Sequence, residues 1–110
     1  MKIAFIGCGN MGEAILSGLV KRQPSDKMIV CESRQDRREY LTKQYGVSFA
    51  DTPAQATAQA DVVLLAVKPQ DLPKVLAGIK TGTPLYLSIA AGITTSFIEK
   101  ALGGSARVVR

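Results

Sequence analysis

Histidine and tryptophan are both missing from the 110 residues, and aromatic side chains are few: Phe5, Tyr40, Tyr45, Phe49, Tyr86 and Phe97. No acid–base pair stands out in the predicted loops, so no catalytic residue and no metal-ligating set is assigned. Cysteine is limited to Cys8 and Cys31, too few for a disulfide framework; both are read as small core-lining thiols of a reducing compartment. The longest apolar stretches fall short of the about 20 residues a membrane helix needs. Met1-Lys2 runs straight into the first predicted strand with no signal peptide before it. A protein that is neither membrane-bound nor exported, and hence cytoplasmic, is expected. Although the formal charge is +5, no Lys/Arg run exceeds two residues and the aromatics do not interleave with basic clusters. Nucleic acid is therefore not an expected partner.

The chain does alternate between short apolar runs and helical periodicity. Ile3-Ala4-Phe5-Ile6 reads as a strand buried on both faces, closed by Gly7. Met11, Ala14, Ile15, Leu16, Leu19 and Val20 recur at helical spacing, and Pro24 stops that helix. Met28–Cys31 is the second predicted strand. A charged helix follows over 35–45, with Tyr40, Leu41 and Tyr45 on its inner face and Gly46 as its end. Val47-Ser48-Phe49 suits a short third strand. Thr52 then caps a helix that begins at Pro53 and continues through Ala60. Asp61–Val67 is the strongest strand signal. Asp71 is expected to cap a helix over 72–79 that tolerates Pro73 in its first turn. A fifth strand over 85–89 and a helix over 94–102 follow, the latter with Ser96 and Glu99 spaced as a capping box. Residues 106–110 begin a sixth strand. This alternation predicts one α/β domain over 1–110: a Rossmann-type, doubly wound parallel sheet in three α/β/α layers, truncated in or just after its sixth strand.

Gly7-Cys8-Gly9-Asn10-Met11-Gly12 is G-x-G-x-x-G. Such triplets also arise by chance, but this one lies directly after a strand and at the head of a helix, as a dinucleotide site requires. Gly7 permits the tight turn, Gly9 lets backbone approach a pyrophosphate, and Gly12 lets the helix lie close on the strand. Free N–H groups at the helix start supply the anion site.

Twenty residues past the last glycine stands Glu32, where a carboxylate can accept both ribose hydroxyls of NAD and repel a 2′-phosphate. Yet Ser33 and Arg34 follow at once and could grip that phosphate with a hydroxyl and a planar guanidinium. The two signals conflict, and together they are read as dual use of NADP and NAD. Arg37 and Arg38 are read as a solvated helix face, with Glu32 able to pair with one of them. In a doubly wound sheet ligands bind past the strand ends at the switch point. That places Ala66, Val67, Lys68 and Pro69 beside the cofactor, and Ala90, Ala91 and Gly92 where small side chains leave room for its nicotinamide end. The plainer alternatives are a loop lysine at Lys68 and tight turn packing at Ala90–Gly92.

Several segments together resemble the pyrroline-5-carboxylate reductase family. Phe5-Ile6-Gly7-Cys8-Gly9-Asn10-Met11-Gly12 with Ala14-Ile15 and Gly18-Leu19 resembles its first βα unit. The Asp61–Val67 run followed by Lys68-Pro69-Gln70 resembles its fourth strand. Ser88-Ile89-Ala90-Ala91-Gly92 resembles the end of its fifth, and Val108-Val109-Arg110 the residues that precede a Met-Pro-Asn-Thr-Pro segment. One departure is Glu32, where many members carry a small or amide residue, and it argues against a simple preference for NADPH. The resemblance implies NAD(P)H-dependent reduction of 1-pyrroline-5-carboxylate to L-proline in proline biosynthesis. This chain would be the cofactor-binding part, and a helical carboxyl-terminal domain would supply the substrate pocket and a homo-oligomer interface. Ile6 to Gly12, Glu32, Ser33, Arg34, Ala66 to Pro69, Ala90 and Ala91 would hold NADP or NAD. Two other readings share the first βα unit: a β-hydroxyacid or prephenate dehydrogenase, and a non-catalytic dinucleotide-sensing module.

Overall fold

The computed structural model describes residues 2–22, 27–58, 60–79, 85–88 and 107–109. Within them the chain runs β1 (Ile3–Ile6), α1 (Asn10–Val20), β2 (Met28–Cys31), α2 (Gln35–Tyr45), β3 (Ser48–Phe49), α3 (Pro53–Ala58), β4 (Val62–Leu65), α4 (Leu72–Ala77), β5 (Leu85–Ser88) and β6 (Arg107–Val109). The strands form one sheet in the order β3-β2-β1-β4-β5-β6, and every neighbouring pair is parallel. The doubly wound order expected from the alternation is the order found. It reverses between β1 and β4.

Strand side chains alternate faces with period two, and here each set is covered by helices. On one face Ile3, Phe5, Met28, Val30 and Leu64 pack with Leu16 of α1 and Leu41 of α2. On the other Ala4, Ile6, Val63, Leu65 and Tyr86 pack with Ala56 of α3 and Leu72 and Leu76 of α4. Burial on both faces is why β1 and β4 read as unbroken apolar runs. The result is three layers. No helix among the described residues is long and apolar enough to cross a membrane.

Helix boundaries follow local chemistry. Gly46 closes α2 in the left-handed conformation (φ 69°), returning its N–H to the Thr42 carbonyl as a C-cap glycine does. Thr52 caps α3: its Oγ1 accepts the Gln55 N–H at 3.2 Å. Asp71 stands at the N-cap position of α4 as expected, but supplies no side-chain cap. It ends a short 3-10 turn, Pro69–Asp71, its backbone is already helical (φ −91°, ψ −14°), and its carboxylate bonds no helix amide. A side-chain cap needs an extended backbone, which this turn denies. That helix closes at Ala77, short of the expected 79. The expected helix over 94–102 with its capping box, the end of the fifth strand at Ile89, and Pro24 lie outside the described residues.

Tyr86 is fully buried in the α3/α4 layer, and among the described residues its hydroxyl meets no hydrogen-bond partner. Burial also pushes its phenol pKa up. An unsatisfied buried hydroxyl costs about 1–3 kcal/mol. Tyr86→Phe is therefore expected to leave stability unchanged or raise it by about 1 kcal/mol. Urea denaturation of the full chain measures this, and a clear loss of stability would show that the hydroxyl is bonded.

Candidate functional site: a cleft at the strand carboxyl ends

Register places the site. Ile6 lies level with Cys31 of β2 and with Leu65 of β4, so the residues that follow each strand emerge together at one edge. They line a cleft of about 580 Å³ with Gly7, Cys8, Gly9, Glu32, Ser33, Arg34, Ala66, Val67 and Lys68. Most of the residues assigned from sequence are thus brought together. Asn10, Met11 and Gly12 form the first turn of α1, and Pro69 opens the 3-10 turn beside the cleft. Ala90 and Ala91 lie outside the described residues. The cleft has a further wall that the sequence did not suggest: Pro53 from α3, and Asp71, Lys74, Val75 and Gly78 along α4. Lys74, exposed on α4, adds a second lysine to the rim.

Each loop glycine has a distinct reason to be glycine. Gly7 has φ +77°, and an added Cβ would stand 2.7 Å from Val67 Cγ1 and 3.1 Å from the Ala66 carbonyl oxygen. A Cβ on Gly12 would come within 3.2 Å of Ala66 Cβ, so α1 packs against the end of β4 with no room for one. Gly9 differs: a Cβ there would find nothing within 4 Å. Its backbone faces open space, as close approach by a phosphate requires. Gly9 is also the N-cap of α1, with extended backbone and no side-chain cap. The first helix amide to close back is that of Glu13, on the Gly9 carbonyl at 2.8 Å. The amides before it have no intrahelical acceptor. A diphosphate fits this cradle.

Glu32 lines the cleft, and its carboxylate is engaged by the backbone rather than by an arginine. Its Oε1 accepts the Cys8 N–H at 3.1 Å and its Oε2 accepts the Arg34 N–H at 3.0 Å. It does not pair with Arg37 or Arg38, because two backbone amides already point at it. Each carboxylate oxygen keeps a lone pair for a ribose hydroxyl. Ser33 is exposed beside it. The Arg34 guanidinium meets Asp36 at 2.7 Å, but both side chains are about two-thirds exposed, so the pair is weak and holds little back from an incoming anion.

Arg37 is not a solvated helix residue. Its Nε and Nη2 both donate to the Cys8 carbonyl, at 3.2 and 2.9 Å, and Nη2 also meets Glu13 Oε1 at 2.9 Å. Glu13 Oε2 accepts the hydroxyls of Tyr40 and Tyr45, each at 2.7 Å. Both tyrosines were expected on the inner face of α2; Tyr45 does pack against the core, whereas Tyr40 is 43% exposed and its ring lies under the Arg37 guanidinium at 5.2 Å. Tyr40 and Tyr45, with Arg37 behind them, hold the Glu13 carboxyl below its ordinary range, and the same bond pushes Tyr45 up to about 12. Arg38 stacks on Phe49 and stands 3.6 Å from Asp51. Cys8 is buried, and burial pushes its thiol up to about 11 despite the nearby Arg37, so it is a protonated core group at neutral pH.

Comparison with known proteins agrees with this geometry. Residues 2–92 match the family described as NADP oxidoreductase, coenzyme F420-dependent. The chain belongs to that family. Its resemblance to pyrroline-5-carboxylate reductases holds across its length: it is 39% identical over 115 residues to pyrroline-5-carboxylate reductase 1 of Bacillus subtilis, covering 99% of this chain and 39% of the relative. A pyrroline-5-carboxylate reductase structure from Coxiella burnetii superposes with a TM-score of 0.90 at 33% identity, over 97% of this chain and 42% of the other. The Plasmodium falciparum pyrroline carboxylate reductase, solved with NADP bound, shares the fold at 21% identity and TM-score 0.83, over 98% of this chain and 40% of that one. The chain thus spans about two fifths of the relatives it matches.

Two measurements test the site's construction. Gly7→Ala is expected to destabilise by about 1–3 kcal/mol, from left-handed strain and the contact with Val67. Gly9→Ala should fold within about 0.5 kcal/mol of the parent yet lose dinucleotide affinity about tenfold or more, a cost of about 1.4 kcal/mol. Denaturation and isothermal titration separate the two, and a Gly9→Ala protein that binds normally would remove the diphosphate from this turn. Separately, a carboxyl held low in the folded state stabilises it above the unfolded carboxyl's pKa, and that contribution is lost as pH falls through the folded value. Glu13→Gln should therefore flatten the decline of stability below about pH 4.3; an unchanged acid limb in pH-resolved denaturation would contradict the network.

Proposed function

We propose that this chain is the cofactor-binding part of a pyrroline-5-carboxylate reductase, which reduces 1-pyrroline-5-carboxylate to L-proline with NADPH or NADH. The observation that carries the reading is the vacant approach to Gly9 at the head of α1, set in a cleft at the switch point between β1 and β4. The reduced nicotinamide supplies the hydride, and the protein positions it. Gly9 and the first turn of α1 would hold the diphosphate, Glu32, Ser33 and Arg34 the adenosine ribose, and Ala66 to Pro69 with Ala90 and Ala91 the run towards the nicotinamide. Lys68 and Lys74 make the rim attractive to an anionic ligand. The likeness to the reductases extends the proposal to a homo-oligomeric, cytoplasmic enzyme whose substrate pocket lies in a helical part beyond these residues.

Use of both cofactors follows from the opposed groups at the end of β2. Glu32 disfavours a 2′-phosphate by charge, while the exposed Ser33 and the loosely paired Arg34 favour it. The longer enzyme that joins this chain to its substrate-binding part is expected to oxidise NADPH and NADH with 1-pyrroline-5-carboxylate and not with β-hydroxyacids or prephenate, whereas these 110 residues alone are expected to bind dinucleotide weakly and not to turn over. Dinucleotide binding by that longer protein without turnover on any of these would instead mark a sensing module. Glu32→Ser should move the ratio of specificity constants towards NADPH and raise KM for both cofactors, because it also frees the Cys8 amide. An unchanged ratio would mean that Glu32 does not face the ribose.

A further inference from the structure

Building on the cofactor reading just given, we propose that Arg37 is a positioning residue: with Glu32 it fixes the backbone of Cys8 so that the Gly9 amide is aimed at the diphosphate before any cofactor arrives. The inference rests on how completely the Cys8 backbone is engaged. Its N–H is held by Glu32 Oε1 at 3.1 Å, and its carbonyl by two donors of Arg37 at 3.2 and 2.9 Å. Among the described residues no peptide bond is cis. In a planar trans peptide the carbonyl and the following N–H point in opposite directions. Pinning the Cys8 carbonyl towards α2 therefore turns the Gly9 N–H away from α2, at a residue whose own Cβ position is open. Among the described residues no acceptor meets that N–H.

A free, flexible glycine turn would sample many orientations, and ordering one of them on binding costs conformational entropy. The fork removes that cost from binding. The fork is itself held: Glu13 Oε1 takes Arg37 Nη2 at 2.9 Å, two tyrosine hydroxyls hold the other Glu13 oxygen, and the Tyr40 ring lies against the guanidinium. The Arg37 and Glu13 side chains are only 19% and 18% exposed, so water competes little for these bonds. The planar fork also matters in itself. Lysine would keep a cation for Glu13 but could not offer two donors in one plane to the carbonyl as well.

The test uses the full chain with Arg37→Gln and Arg37→Lys. Arg37→Gln is expected to weaken NADP+ and NAD+ alike by about tenfold, the size of one charge-assisted hydrogen bond. Adenosine 2′-monophosphate, which lacks the diphosphate bridge, should bind within about twofold of the parent, a difference well under 1 kcal/mol. Arg37→Lys should melt with the parent, bind dinucleotide more weakly, and show a displaced Gly9 amide resonance in the free protein. Unchanged dinucleotide affinity, or an equal loss for adenosine 2′-monophosphate, overturns the proposal. Should Arg37→Gln fail to fold, the lysine variant decides it: a Gly9 amide that does not move overturns it. A parent protein that binds neither dinucleotide removes the cofactor reading itself, whereas a parent that binds and variants that match it remove only the role of Arg37.

Discussion

The register that sets Ile6 level with both Cys31 and Leu65 fixes where this chain can hold anything. Three parallel strands end on one line, so the backbone must turn away from the sheet at three neighbouring points, and the space between the turns is the cleft. Each turn is constrained by the other two. Gly7 takes a left-handed backbone because the Ala66 carbonyl and Val67 fill the place of a side chain, and its amide is bound to the Cys31 carbonyl at 2.7 Å. Gly12 is small because Ala66 packs beneath α1. Close packing of the β4 end thus decides the first and third glycines. The middle one is left to the ligand.

That leaves a balance of polar groups to explain. A turn that keeps backbone donors for an anion must satisfy or orient its remaining groups by other means, since buried unpaired groups are costly. Here the cost is met by charged side chains from the opposite wall. A carboxylate from the end of β2 and a guanidinium from the first turn of α2 engage the two polar atoms of Cys8. The charges suit their places: an anion accepts an N–H, a cation donates to a carbonyl, and Glu13 in the first turn of α1 neutralises the cation. Glu13 also gains from the positive end of the helix dipole. An arginine 29 positions away in sequence therefore helps to build this glycine turn, and under the proposed reading belongs to the diphosphate site as much as the glycines do.

Much of this was legible in the residues. Met28–Cys31 and the helix from Gln35 to Tyr45 were readable to the residue, because an apolar β-branched run and a C-cap glycine mark their ends chemically. The glycine spacing pointed to the loop, and the switch-point rule for doubly wound sheets pointed to the residues after β4 as its far side. The partners of the charges were not legible. Periodicity says which face of α2 a residue occupies but not what stands opposite, and α2 carries charged and aromatic residues on several faces. Arg37 thus looked like a solvated residue and Tyr40 like a core one, whereas both meet Glu13 on α1. Asp71 misled for a related reason: aspartate before a helical run is a capping signal, but Pro69 draws the preceding turn into a 3-10 geometry that a side-chain cap cannot use. The α4 wall of the cleft, Lys74 included, follows from the three-layer packing and from no local pattern.

The same arrangement bears on cofactor choice. In a site where the acidic residue at the end of β2 only accepts ribose hydroxyls, exchanging it alters one discrimination and nothing else. Here Glu32 reaches two backbone amides, one in the phosphate loop and one at the start of the segment that carries Arg34. Its charge therefore sets both the repulsion felt by a 2′-phosphate and the geometry of the groups that would attract it. Removing the carboxylate lifts the repulsion but loosens Ser33 and Arg34, and frees one side of Cys8. Under the proposed reading, discrimination between the two nucleotides and the hold on their shared diphosphate would then be coupled through a single side chain. Arg37, bound to the opposite side of the same residue, keeps part of that hold independent of Glu32. Such a loop can vary its acidic residue without losing its anion site, provided the guanidinium stays.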